Sequence, residues 1–146
     1  MSVKYYYKLT LAYDGTNYCG WVIQKNGPSI HEETMKAGSK FLEDGFTITG
    51  CSRTDSGVHA LNYVALLVTE KNLEERRVLG AMNAHLPKDI VIREVKKVDD
   101  TFHPRYTKNY KHYRYTIYNN TVPIPQYLPY AFYFYKYLNI FFFFVE

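Results

Sequence analysis

Phe46-Thr47-Ile48-Thr49-Gly50-Cys51-Ser52-Arg53-Thr54-Asp55-Ser56-Gly57-Val58-His59-Ala60-Leu61-Asn62-Tyr63-Val64-Ala65-Leu66-Leu67-Val68 reads as strand, polar turn, strand. Phe46 to Cys51 and Tyr63 to Val68 are the apolar arms, and the turn between them holds one arginine and one aspartate two residues apart. Side chains at i and i+2 of an extended chain point to one side, so Arg53 and Asp55 can share a face. A guanidinium beside a carboxylate favours the ionised form, which makes Asp55 a candidate nucleophile. The bland alternative is a tight loop in which Asp55 bonds its own backbone and Arg53 forms a surface ion pair of little energetic weight.

Working outward, Val3 to Tyr13 alternates as a strand that Asp14-Gly15 ends. Ser29-Ile30-His31-Glu32 has the capping-box pattern, and Ile30, Thr34, Ala37 and Phe41 recur at helical spacing toward Asp44. Asn72-Leu73-Glu74-Glu75 repeats the capping logic ahead of a stripe of Leu79, Met82 and Leu86, and Leu86-Pro87 ends that helix. Ile90 to Val98 reads as a strand, and Tyr110 to Tyr118 as one more, with Lys111 and Tyr113 on the same face. The order β-α-β-β-α-β predicts an α+β, ferredoxin-like (split βαβ) antiparallel sheet with two helices packed on one face. The open face of such a sheet is a common RNA platform, but no RNP1-type run is present.

At 146 residues, 47% apolar and 22% charged, the chain suits a globular domain with a sizeable core. Cys19 and Cys51 lack CxxC spacing and the five histidines are scattered, so neither zinc site nor disulfide framework is indicated. Met1 to Tyr13 alternates where a signal peptide would be continuously apolar, so a cytoplasmic protein is expected. The net charge of +4 is unevenly placed. Residues 1 to 100 carry 13 basic and 13 acidic side chains, whereas from Thr101 onward five basic residues face one acidic one. Arg105, Lys108, Lys111 and Arg114 alternate with Tyr106, Tyr110 and Tyr113. Cations for phosphates and rings for unpaired bases suit RNA, though a solvated strand face over packed tyrosines has the same composition.

The run Ser52-Arg53-Thr54-Asp55-Ser56-Gly57-Val58-His59-Ala60 resembles the active-site motif of the tRNA pseudouridine synthase A family. The likeness runs from about Tyr7 to Asn120. It includes Tyr13-Asp14-Gly15-Thr16-Asn17-Tyr18-Cys19-Gly20-Trp21 with Gln24, Asn83 to Ile90, Phe102-His103-Pro104-Arg105-Tyr106, and Lys111 to Asn119, all in the family's order. The resemblance implies that Asp55 is the catalytic aspartate, that Arg53 helps hold a flipped nucleotide, and that Tyr113 stacks on the target base. Lys111, Arg105 and His59 are the further expected substrate contacts. It also implies tRNA as substrate, a homodimer, and chemistry that needs neither cofactor nor metal.

Val22 and Ser56 depart from the residues the family commonly has, away from the expected chemistry. Family members continue into a second, similar half, so residues 1–120 are expected to form the N-terminal catalytic domain and 121–146 the start of an incomplete second one, as in a truncated or frameshifted product. From Tyr127 to Glu146 eleven of twenty residues are aromatic, closing on Phe141-Phe142-Phe143-Phe144. Lys136 and Asn139 interrupt that run, so burial against protein is expected rather than a membrane span. Two readings of other classes remain at this point: a non-catalytic RNA-binding remnant, and a hydrolase pairing Asp55 with a second acid such as Asp14 or Asp89.

Overall fold

The computed structural model describes residues 2–107 and 110–139. The chain divides into two compact units, Met1–Asn109 and Tyr110–Glu146. In the first, β1 (Tyr5–Tyr13), α1 (Ile30–Ser39), β2 (Thr47–Gly50), β3 (Ala60–Thr69), α2 (Glu75–His85) and β4 (Ile90–Val98) succeed one another in that order. The strands form one sheet in the order β2-β3-β1-β4, every neighbouring pair antiparallel. That is the split βαβ arrangement, because β3 lies between the two strands that α1 connects.

Period-two burial sorts the sheet into two faces. Tyr7, Leu9, Leu11 and Tyr13 of β1 turn inward with Tyr63, Ala65 and Leu67 of β3, Ile48 of β2 and Ile92 of β4. Ile30 and Ala37 of α1 and Val78 and Met82 of α2 complete this core. Burying an aliphatic or aromatic side chain fully contributes roughly 1.5–3 kcal/mol. The ladders are regular except at the end of β1 that leads toward the Asp55 turn. There the pairing with β3 shifts between Leu11 and Tyr13, and the pairing with β4 between Thr10 and Leu11. Such bulges increase local twist and re-aim the chain beyond them.

The two helices start differently. Ser29 caps α1, its Oγ accepting the Glu32 N–H at 3.1 Å. At α2 the expected Asn72 cap does not form, and Glu74 stands at the N-cap without a side-chain bond. The reason lies in the sheet: the Tyr7 hydroxyl accepts the Leu73 N–H and donates to the Leu73 carbonyl, both at 2.8 Å, which holds that residue out of the helix. The Asn72 Oδ1 instead accepts from Lys97 Nζ at 2.8 Å. Asn83 donates to and accepts from the Ile92 backbone, both at 2.8 Å, which covers part of the β4 edge.

The second unit corrects the expected strand from Tyr110 to Tyr118. Only β5 (Ile117–Asn119) is a strand, and it pairs in parallel with β6 (Phe132–Phe134). Tyr110 to Thr116 are all exposed. The Thr116 carbonyl accepts the Phe132 N–H at 2.8 Å, but among the described residues Tyr110 to Tyr115 have no ladder partner, and backbone groups without one stay solvated. Lys111 and Tyr113 therefore do not share a strand face. The Phe141 to Glu146 stretch lies outside the described residues.

The two helix starts are separable by mutation. Ser29→Ala should lower unfolding stability by about 1 kcal/mol, while Asn72→Ala should change it by less than about 0.5 kcal/mol; urea midpoints at unchanged slope measure both. His31 stacks on Trp21 with centroids 5.4 Å apart, and its buried Nε2 has no partner among the described residues. Burial lowers its pKa from 6.5, opposed by a backbone hydrogen bond at Ile48. Below that value the unfolded chain binds the extra proton and the folded chain resists it, so stability falls as pH drops through 6.5 toward the lower folded value. His31→Phe should flatten this part of the stability-pH profile, and an equal slope in wild type and variant would refute the assignment.

Candidate active site

The Cys51 N–H donates to the Val64 carbonyl at 2.9 Å, the last backbone bond between the β2 and β3 arms. Beyond it the chain runs open from Ser52 to Asp55 and then turns. Val58 N–H returns to the Asp55 carbonyl at 3.2 Å, and Gly57, at φ +78°, supplies the positive dihedral at the third turn position.

Residues 13 to 21 clasp this loop from β1. The Tyr18 carbonyl accepts from Gly57 N–H at 3.1 Å and from Ser56 Oγ at 3.3 Å. Gly15 N–H donates to His59 Nδ1 at 2.9 Å, and Asp14 Oδ1 lies 3.1 Å from the same nitrogen. Gly20 has φ +84°, and a Cβ there would stand 2.1 Å from the Thr54 carbonyl oxygen, so only glycine allows the two backbones to meet. Tyr18 is itself fixed: its hydroxyl donates to Asp89 Oδ1 at 2.6 Å, while Asp14 N–H reaches the Asp89 carbonyl at 2.9 Å. Burial, and then that carboxylate, raise the Tyr18 phenol above its ordinary pKa and keep it a donor.

On this support, burial alternates: Ser52 and Thr54 are half-buried, Arg53 and Asp55 exposed. The shared outward face read from the i, i+2 spacing is therefore present. The expected ion pair is not, since no salt bridge joins Arg53 to Asp55 among the described residues. Nor does Asp55 bond its own backbone, as the bland reading requires. Its carboxylate has no hydrogen-bond or ion-pair partner among the described residues, whereas the other two aspartates weighed as a second acid are engaged. Asp14 Oδ1 accepts from Thr16 N–H at 3.0 Å and Thr16 Oγ1 at 2.5 Å, and Asp89 accepts from Tyr18. The site offers one available carboxylate with an exposed cation two residues away.

Of the remaining expected contacts, Arg105 is drawn to the loop's base, its Nε donating to the Gly50 carbonyl at 3.4 Å. It sits in a turn where His103 stacks on Tyr106 at 4.5 Å. His59 is held by the Asp14-Gly15 turn, a link between loops that its place in the motif did not reveal. Lys111 and Tyr113 are exposed and belong to the second unit. Sequence reasoning assigned no role to Tyr13 or Tyr63, whose hydroxyls meet the loop, or to Tyr18, whose carbonyl meets the loop and whose hydroxyl meets Asp89. The available signal was that buried phenols need a partner. Among the described residues no group of three or more His, Cys, Asp or Glu is placed to hold a metal, and no helix is long and apolar enough to cross a membrane.

Comparison with known proteins gives the family. The profile of the tRNA pseudouridine synthase family matches residues 10–107, which include the clasp, the loop and the Arg105 turn. The chain is similar to the tRNA pseudouridine synthase A of Ruminiclostridium cellulolyticum, 48% identical over 113 residues that cover 77% of this chain and 46% of that protein. The corresponding protein of Aquifex aeolicus is 44% identical over 86% of this chain and 52% of its own length, and that of Geotalea daltonii 44% identical over 77% and 46%. The chain thus spans about half the length of the curated relatives it matches. With the profile covering most of the first unit, this chain belongs to the tRNA pseudouridine synthase family.

Proposed function

We propose that this chain carries the Asp55 centre of a tRNA pseudouridine synthase, isomerising uridine in the anticodon stem-loop to pseudouridine. The observation that supports it most directly is the available Asp55 carboxylate on a turn whose backbone is bonded from outside. The reaction breaks the N1–C1′ bond of uridine and forms C5–C1′, N1 gaining the proton that C5 loses. The Asp55 carboxylate can add to C1′ or to C6, either of which loosens the glycosidic bond. The nucleotide has to leave its stack first. Arg53 and Arg105 suit phosphates beside the flipped uridine, and Tyr113, with Lys111, would offset unstacking worth roughly 1–3 kcal/mol per base. His59 acts in this reading through the loop it holds.

As a functional partition, residues 1–120 bear the chemistry and 121–146 begin a second domain. In this reading tRNA is the substrate, as its relatives' names suggest, and the protein works in the cytoplasm as a homodimer without a cofactor.

Incubation with tRNA tritiated at uridine C5 tests the reading, because the label leaves when C5 becomes bonded to C1′. The intact chain should release label, and Asp55→Ala and Asp55→Asn should each lose at least about a thousandfold in rate with tRNA affinity retained. Steeply salt-dependent tRNA binding without release, or equal release by Asp55→Ala, would overturn it.

A further inference from the structure

Whatever holds positions 52 and 54 inward also turns 53 and 55 outward, since successive side chains of an extended run point to opposite sides. Two buried phenols meet those inward positions. The Tyr63 hydroxyl donates to the Ser52 carbonyl at 2.5 Å and lies 3.4 Å from the Ser52 N–H. The Tyr13 hydroxyl stands 3.3 Å from Thr54 Oγ1. Serving both backbone groups of one residue, the Tyr63 hydroxyl takes over where the β2-β3 ladder stops at Cys51.

The phenol is itself held from behind. Trp21 stacks on Tyr63 at 4.3 Å, with His31 also stacked on the indole, and Tyr13 packs 5.8 Å from the Tyr63 ring. Gly50 makes room for the arrangement: a Cβ there would stand 2.1 Å from the Tyr63 hydroxyl and 2.5 Å from Trp21 Nε1. Burial raises both phenols, Tyr13 to about 12 and Tyr63 further, so both stay protonated around neutral pH.

We propose that Tyr63, with Tyr13 as the second clamp, is the positioning residue that keeps Arg53 and Asp55 facing outward. Neither phenol is placed against the reacting carboxylate; both act through residues 52 and 54. The inference rests on reading Asp55 as the reacting group. It goes further in assigning the loop's orientation to side-chain hydroxyls of the sheet rather than to the turn sequence alone.

Tyr63→Phe keeps the ring and its stack but removes the hydroxyl. In the full chain, amide hydrogen exchange from Ser52 to Val58 should quicken by at least about tenfold while β1 and β4 keep their protection. With tritiated tRNA, kcat should fall by about tenfold or more with KM changed less than about twofold, the split expected of lost positioning rather than lost binding. Unchanged protection of the loop, or faster exchange spread evenly over the sheet, would overturn the proposal. If Tyr63→Phe does not fold, Tyr13→Phe, which frees only Thr54, is read against the same criteria. Failure of the wild-type chain to release label would sink the Asp55 reading alone, and the exchange measurement would still decide the role of Tyr63.

Discussion

The ladder between β2 and β3 stops at the bond from Cys51 to Val64, and the inward-facing backbone groups of the Asp55 loop beyond it need other partners. A buried peptide group left without one costs about 1–3 kcal/mol. The chain meets that need with side chains and loops of its first and third strands. Tyr63 serves Ser52, the Tyr18 carbonyl serves Gly57 and Ser56, and the Asp14-Gly15 turn serves His59. The loop is an exposed surface feature whose backbone is treated as if it were in a sheet.

This has a consequence for where precision comes from. A loop tied only to itself moves with its own turn, whereas this one is referenced to β1 and β3, the two central strands. Of the two bulges in β1, the one facing β3 falls beside those attachments, between Leu11 and Tyr13, and the one facing β4 lies between Thr10 and Leu11. Twist added there changes the direction in which residues 13 to 21 leave the sheet, and so the angle of the clasp. The steric fit is close enough that Gly20 and Gly50 admit no side chain.

Much of this was legible in the sequence where the cause is local. The Ser29 cap depends on a residue three positions away, and the strand Ile90–Val98 on an apolar run that begins just after Pro87, so both are found as read. That Arg53 and Asp55 share an outward face could be read from alternation alone. What was not legible depends on contacts distant in sequence. Asn72 looks like a cap until the Tyr7 hydroxyl, 66 residues from Leu73, takes the adjacent backbone. Tyr110 to Tyr115 has the composition of a strand but no edge to join among the described residues. Tyr63 reads as the first residue of a strand, and nothing nearby in the chain says that its hydroxyl reaches Ser52.

The Asp-led turns of the first unit show why Asp55 differs from its neighbours. In Asp14-Gly15-Thr16 and Asp99-Asp100-Thr101 the N–H and hydroxyl of the third residue both donate to the first residue's carboxylate, the local bond that makes aspartate a turn former. At Asp99 those Thr101 bonds hold the carboxyl below its ordinary pKa, because they stabilise the anion. Asp55-Ser56-Gly57 begins the same way and ends otherwise. Gly57 has no hydroxyl to offer, and its N–H, together with the Ser56 hydroxyl, is already directed to the Tyr18 carbonyl. The donors that would have engaged the carboxylate are turned to the clasp instead. The contact that anchors the turn is thus also the one that leaves the Asp55 oxygens available to a substrate.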